Sequence, residues 1–184
     1  QDRISEGILQ TLIEEGPKVM RNFQDYQARS QVMWCAAMAL NGLIGAGVAQ
    51  DWSTHMIGHE LTAVYGLDHA QTLAIVLPRV LEYKMASKKQ KLVQYGKRVW
   101  QLVGDDQTIA DAAIVKTEAF FRSLGVKTYL SEYNISLSNE DLAQILAQLE
   151  SHQMDKLGEH GDILLEDSKN ILQSCAVLPE TALA

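Results

Sequence analysis

Three of the five histidines in this 184-residue chain fall in one short window, His55-Met-Ile-Gly-His59-Glu-Leu-Thr-Ala-Val-Tyr-Gly-Leu-Asp-His69. Imidazole is the commonest metal ligand and the only side chain that titrates near neutrality unperturbed. Clustering it among small and apolar residues therefore points to metal binding or proton transfer. His55 and His59 are four residues apart, so on a helix they share one face, which Thr62 and Ala63 continue. Gly66 offers a helix stop and Leu67-Asp68 a short corner, after which His69 opens a second helix and can point back at the first. The zincin pattern is excluded because Met56 stands where its glutamate belongs, and Gly58 excludes the inverted form. Glu60 rotates off the shared face and is not expected to act as a general base.

The elements that must position these rings read as helices throughout. Ile4, Ile8, Leu9, Leu12 and Ile13 form an apolar stripe expected to end at Gly16-Pro17, where the ring and missing amide stop propagation. Asp25 caps a second helix expected from about Tyr26 to Ile44, broken by Gly42-Leu-Ile-Gly45-Ala-Gly47. Those glycines are in the wrong order for Gly-x-Gly-x-x-Gly and follow no strand, so a turn delivering the histidine helix is the better reading. Helices follow from His69 to Lys84, with a break or kink at Pro78, then from Lys88 to Val103 and from Thr108 to Leu124, the last closed by Gly125. Ser138 caps another helix that reaches Glu150, and a last one spans Leu165 to Val177. The expectation is one all-α domain over residues 1–184, a bundle of seven to nine helices without a convincing strand.

The stretch Asp51-Trp-Ser-Thr-His55 through His59-Glu-Leu-Thr-Ala and Gly66-Leu-Asp-His69-Ala-Gln-Thr-Leu-Ala-Ile-Val-Leu-Pro78 resembles the iron-containing (group III) alcohol dehydrogenase family. Within it, the chain looks most like the butanol dehydrogenase and NADPH-dependent aldehyde reductase branch. Ala39-Leu-Asn-Gly-Leu-Ile-Gly-Ala-Gly47 and the flanks from Gln1 to about Trp100 fit that branch, as do Phe120 to Val126 and Met154 to Gly158.

The resemblance implies the helical C-terminal domain of a dehydroquinate synthase-like two-domain enzyme. It makes His55 and His69 ligands of a divalent metal, Fe2+ or Zn2+. It places His59 beside the nicotinamide and substrate, able to relay a proton and so both catalytic and cofactor-contacting. The family completes its metal site with an upstream aspartate and histidine, and its nucleotide-binding domain precedes the helical one. None of these is in this chain. The expectation is therefore the C-terminal half of an NADP(H)- or NAD(H)-dependent enzyme acting on aldehydes or primary alcohols. That enzyme is expected to be a cytoplasmic homodimer, and this half alone inactive.

A net charge of −7 and the lack of a basic stripe argue against a nucleic-acid partner. The run Lys84, Lys88, Lys89, Lys91, Lys97 and Arg98 reads as a solvated helix face. No apolar run is long enough for a membrane span. Cys35 and Cys175 sit in apolar helical contexts and read as reduced, buried thiols. Trp52, Ile57, Leu61 and Leu67 are candidates either for a pocket lining or for the core, and His152 and His160 read as solvated loop residues. Two competing functions are a stand-alone helical binding or oligomerisation module and a metallohydrolase using His55, His59 and Asp51 or Glu60. The second has neither a known motif nor a water-activating base.

Overall fold

The computed structural model describes residues 1–179, and these form two compact units. Eight α-helices account for most of them, in keeping with an all-α fold.

The first unit comprises residues 1–48 and 87–125. Its helices are α1 (Asp2–Arg21), α2 (Tyr26–Leu40), most of α5 (Met85–Arg98) and α6 (Asp106–Ser123). Asp25 starts α2 as its sequence demands, its carboxylate accepting the Ala28 N–H at 3.0 Å. Several boundaries depart from expectation, and α5 runs from Met85 to Arg98 rather than from Lys88 to Val103. Helix α2 ends at Leu40, short of the glycine-rich segment, and α1 runs through Pro17 to Arg21. A proline inside a helix costs about 3 kcal/mol. Here a Cβ placed on Gly16 would lie 3.5 Å from Phe120 and 3.7 Å from Leu124, so this turn faces the end of α6, and the ladder has resumed by the Asn22 N–H, which donates to the Lys18 carbonyl at 3.0 Å. Tertiary packing thus overrides the local stop signal. Glu6, 8% exposed, is held by Arg98 at 3.0 Å and Gln94 at 2.9 Å, so its buried charge is paired.

Helices α5 and α6 approach closely at Gly96. A Cβ there would meet Ile109 Cγ2 at 2.7 Å and the Ile109 carbonyl oxygen at 3.1 Å. Gly96→Ala gains about 1 kcal/mol of helix propensity but overpacks a site that costs about 1–3 kcal/mol to strain. A net loss of stability is expected, read as a lower urea midpoint at unchanged slope.

The second unit comprises residues 49–86 and 126–179 of the described chain. It holds α3 (Ser53–Tyr65), α4 (His69–Tyr83), a 3-10 turn (Leu130–Tyr133), α7 (Asn139–Ser151), and α8 (Leu165–Ser174). Helix α4 passes through Pro78 without interruption. A short hairpin not anticipated from the sequence pairs β1 (Lys156–Leu157) antiparallel with β2 (Ile163–Leu164). The core is built from Ile57 and Leu61 of α3, Ile75 and Val76 of α4, Ile145 and Leu149 of α7, and Ile171 and Leu172 of α8, all fully buried. Removing such a side chain from water contributes roughly 1.5–3 kcal/mol. Polar ties fix the end of α4: the Tyr83 hydroxyl donates to Asp167 at 2.6 Å and Lys84 donates to Asp162 at 2.6 Å. Ser138 caps α7 as expected, accepting the Asp141 N–H at 3.0 Å. Cys35 and Cys175 are buried and unbridged. No helix among the described residues is long and apolar enough to cross a membrane.

Candidate functional site

The histidine window folds as a helix, a corner and a second helix. Asp51 fixes the start of α3 by accepting from the Ser53 N–H at 2.8 Å and from its hydroxyl at 2.5 Å. Gly66 ends the helix in the left-handed region, φ 69°, with its N–H donating to the Thr62 carbonyl at 2.9 Å. A side chain is strained at that φ, so glycine is what the corner requires. The next helix opens at His69, and the Gln71 side chain accepts the Asp68 N–H at 2.9 Å. Gly58 lets the two helices close up, because a Cβ there would lie 3.1 Å from Thr72 Oγ1 and 3.5 Å from Leu73.

This packing brings the three rings together. Centroids lie 5.3 Å apart for His55 and His69, 5.1 Å for His59 and His69, and 6.3 Å for His55 and His59. Trp52 stands edge-on to His55 at 5.1 Å. His55 is half-buried, whereas His59 and His69 are exposed. Burial lowers the His55 pKa below the ordinary imidazole value, and the neighbouring His69 and His59 lower it further. Neutral imidazole, the ligating form, is therefore favoured at His55. Among the described residues no group of three or more histidine, cysteine, aspartate or glutamate side chains converges as a complete metal cage.

Two imidazoles sharing one tetrahedral ion, with bonds of about 2.0–2.1 Å, would hold their ring centres about 5 Å apart. The His55–His69 spacing meets that requirement, and so does His59–His69, so His69 is common to both possible pairs. Two nitrogen donors on a partly open face fit a metal site whose other ligands come from elsewhere.

Of the two roles open to them, pocket lining or core, Ile57 and Leu61 take the second, being 0% exposed, and Leu67 packs against that core. Position four apart on a helix fixes a face but not what the face meets. His160 is exposed, as expected. His152 is exposed too, and it has a partner the sequence did not suggest: its Nδ1 lies 2.9 Å from Oε1 of the buried Glu60. Glu60 and His59 both line a pocket of about 310 Å³, with Met56, Ala63, His152 and Met154. Nothing local in the sequence announces the Glu60–His152 pair, since its members are 92 positions apart.

An all-helical fold carrying an imidazole cluster across a glycine corner defines a class of domain rather than a particular enzyme. Residues 1–175 match the family model described as "Fe-containing alcohol dehydrogenase family, C-terminal". The chain belongs to that family. It is 54% identical over 175 residues to the NADPH-dependent aldehyde reductase YqhD of Escherichia coli, covering 95% of this chain and 45% of that protein. It is 38% identical over 169 residues to NADP-dependent alcohol dehydrogenase 3 of Entamoeba histolytica, covering 92% of this chain and 41% of that one. The substrate- and cofactor-free structure of YqhD superposes with a TM-score of 0.90 at 53% identity, covering 95% of this chain and 46% of the solved one. NADH-dependent butanol dehydrogenase A of Thermotoga maritima, with a TM-score of 0.86 at 24% identity over 96% of this chain and 46% of its own, shares the fold. The chain thus spans less than half the length of these relatives.

Proposed function

We propose that this chain is the C-terminal, metal-binding domain of a two-domain NAD(P)H-dependent aldehyde reductase or alcohol dehydrogenase. The observation that carries this reading is the approach of His55 and His69 to 5.3 Å across the Gly66 corner in a chain of this family. His55 and His69 are the two metal ligands of this domain, and the remaining ligands and the nucleotide-binding domain belong to an upstream half. The 54% identity to an NADPH-dependent aldehyde reductase supports NADPH, although the butanol dehydrogenases among the relatives are NADH-dependent, and the substrates are short-chain aldehydes or primary alcohols. The donor set suits Fe2+ or Zn2+, and the family supports iron. A cytoplasmic homodimer is part of the same reading.

When bound, the metal supplies Lewis-acid polarisation of a carbonyl oxygen, and the reduced nicotinamide supplies the hydride. The chain's own residues do the rest. His55 and His69 bind as neutral imidazoles, which the depressed pKa of His55 favours. His59, exposed and 5.1 Å from His69, stands beside that position and holds or moves a proton at the product oxygen.

Elemental analysis of the chain alone and of the chain joined to its upstream half, with aldehyde-dependent NADPH oxidation assayed on both, tests the reading. Stoichiometric metal and activity are expected only in the joined protein. Tight metal in the chain alone, with no reductase activity in either sample, sinks it.

A second reading, a stand-alone helical binding or oligomerisation module, is favoured by one feature. Helix α2 leaves Tyr26 82%, Met33 71%, Trp34 63% and Leu40 83% exposed. Such a module gains no nicotinamide-dependent activity when the upstream half is supplied.

A further inference from the structure

The pocket beside His59 contains an ionisable pair that the reaction described above does not use. Glu60 follows His59 on α3, and its side chain is 8% exposed. A carboxylate is costly to bury unless it is hydrogen-bonded or paired. Its partner is His152, at the end of α7, whose side chain is 59% exposed and whose Nδ1 lies 2.9 Å from Glu60 Oε1. An ionised carboxylate has no proton to give, so the ring nitrogen donates. The pair therefore runs from solvent to the wall of a cavity that His59 also lines. The titratable groups facing that cavity are His59 and Glu60 from α3 and His152 from the α7 end.

We propose that Glu60 and His152 form a proton relay that resupplies His59, across this pocket, with protons from bulk water. The relay rests on the dehydrogenase reading. Reducing an aldehyde adds a hydride to carbon, moves the C=O π pair onto oxygen, and leaves that oxygen one proton short. His59 supplies that proton, and to replace it the Nδ1–H bond of His152 breaks as an O–H bond forms on Glu60. The Nε2 of the same ring takes a proton from bulk water, so the imidazole changes tautomer and ends neutral. Glu60 then passes its proton through pocket water to His59 and becomes a carboxylate again, and the His152 ring returns to its Nδ1–H tautomer by exchange with bulk water. No electrons pass through the pair, and the hydride is that of the reduced nicotinamide already invoked.

The geometry fits this task in two respects. A water takes up about 30 Å³ of liquid, so a cavity of about 310 Å³ holds several and can bridge the last leg. His152 is open to solvent, where it can exchange protons, and its partner Glu60 lines the same pocket as His59.

The test uses the chain joined to its upstream half, with His152→Ala, His152→Gln and Glu60→Gln. In each variant the kcat for aldehyde reduction is expected to fall about a hundredfold, with a larger solvent deuterium isotope effect and with metal content and thermal midpoint retained. Added imidazoles should restore His152→Ala activity in the order of their basicity, a response that a packing defect would not give. An unchanged kcat overturns the relay, as does a loss that imidazoles do not rescue and that tracks a lower thermal midpoint. Nitrogen-15 NMR of the histidine rings gives a readout independent of turnover. His152 is expected to carry its proton on Nδ1 in the wild type, and a ring protonated on Nε2 alone overturns the relay. A joined wild-type protein that oxidises no NADPH with aldehydes overturns the dehydrogenase reading itself, and the relay with it.

Discussion

In the chain joined to its upstream half, His69→Ala should lower kcat/KM for aldehyde reduction by about a thousandfold or more and strip the protein of its metal. The size follows from what the residue does. Loss of a group that merely orients a ligand costs about 10–100-fold in metal affinity or activity, and a ligand itself must cost more. His69 has a further claim, because it is the ring within about 5 Å of both its neighbours, 5.3 Å from His55 and 5.1 Å from His59. The informative comparison is His59→Ala. As a proton-transfer residue, His59 should cost about 10²–10⁴-fold in rate while the metal stays bound. Metal content by elemental analysis, set beside steady-state kinetics for His55→Ala, His59→Ala and His69→Ala, decides the assignment. Loss of metal from His59→Ala with retention in His55→Ala would exchange their roles.

Leu61→Ala should destabilise the second unit by about 2–5 kcal/mol. Leu61 is 0% exposed and sits in the core with Ile57, Ile75 and Val76, so truncation leaves a cavity that neighbouring helices can fill only in part. Set against a usual domain stability of about 5–15 kcal/mol, this is enough to populate unfolded chain. The site should suffer with the fold, because Leu61 is two residues from His59 on the same helix. Urea denaturation followed by circular dichroism measures the change. A control, Trp52→Ala, removes a side chain that is 45% exposed and should shift the midpoint far less. A fall of under 1 kcal/mol for Leu61→Ala would mean that this core is looser than its burial indicates.

The parts of this architecture that were legible in the sequence are those fixed by local chemistry. Gly66 could be placed as a helix stop because its backbone enters a region that side chains resist, and the structure finds it there at φ 69°. Asp25 and Ser138 could be placed as caps because their side-chain oxygens answer backbone N–H groups two or three residues on. The approach of His55, His59 and His69 followed from helix periodicity plus that corner. What escaped was set by distant packing. Pro17 stays helical where the turn beside it faces Phe120 and Leu124, far along the chain. Ile57 and Leu61 were equally plausible as pocket or core, since spacing says which residues share a face but not what lies opposite. The Glu60–His152 pair joins an α3 residue to the end of α7, and neither neighbourhood carries a sign of the other. The β1–β2 hairpin is two residues per strand, too short for an alternating pattern to register.

The Gly66 corner also makes the stretch between His59 and His69 intolerant of a change in length. A helix advances about 100° per residue, so one residue inserted in α3 after His59 would swing the exit of that helix, the corner and His69 round to another side. A deletion would do the same in the opposite sense. Point substitutions in this interval can retune the site, but insertions and deletions should abolish it. Libraries aimed at new substrates should therefore vary residue identity here and hold the count fixed. Variation in length belongs elsewhere, in connections such as residues 99–105 between α5 and α6, which carry none of the three rings.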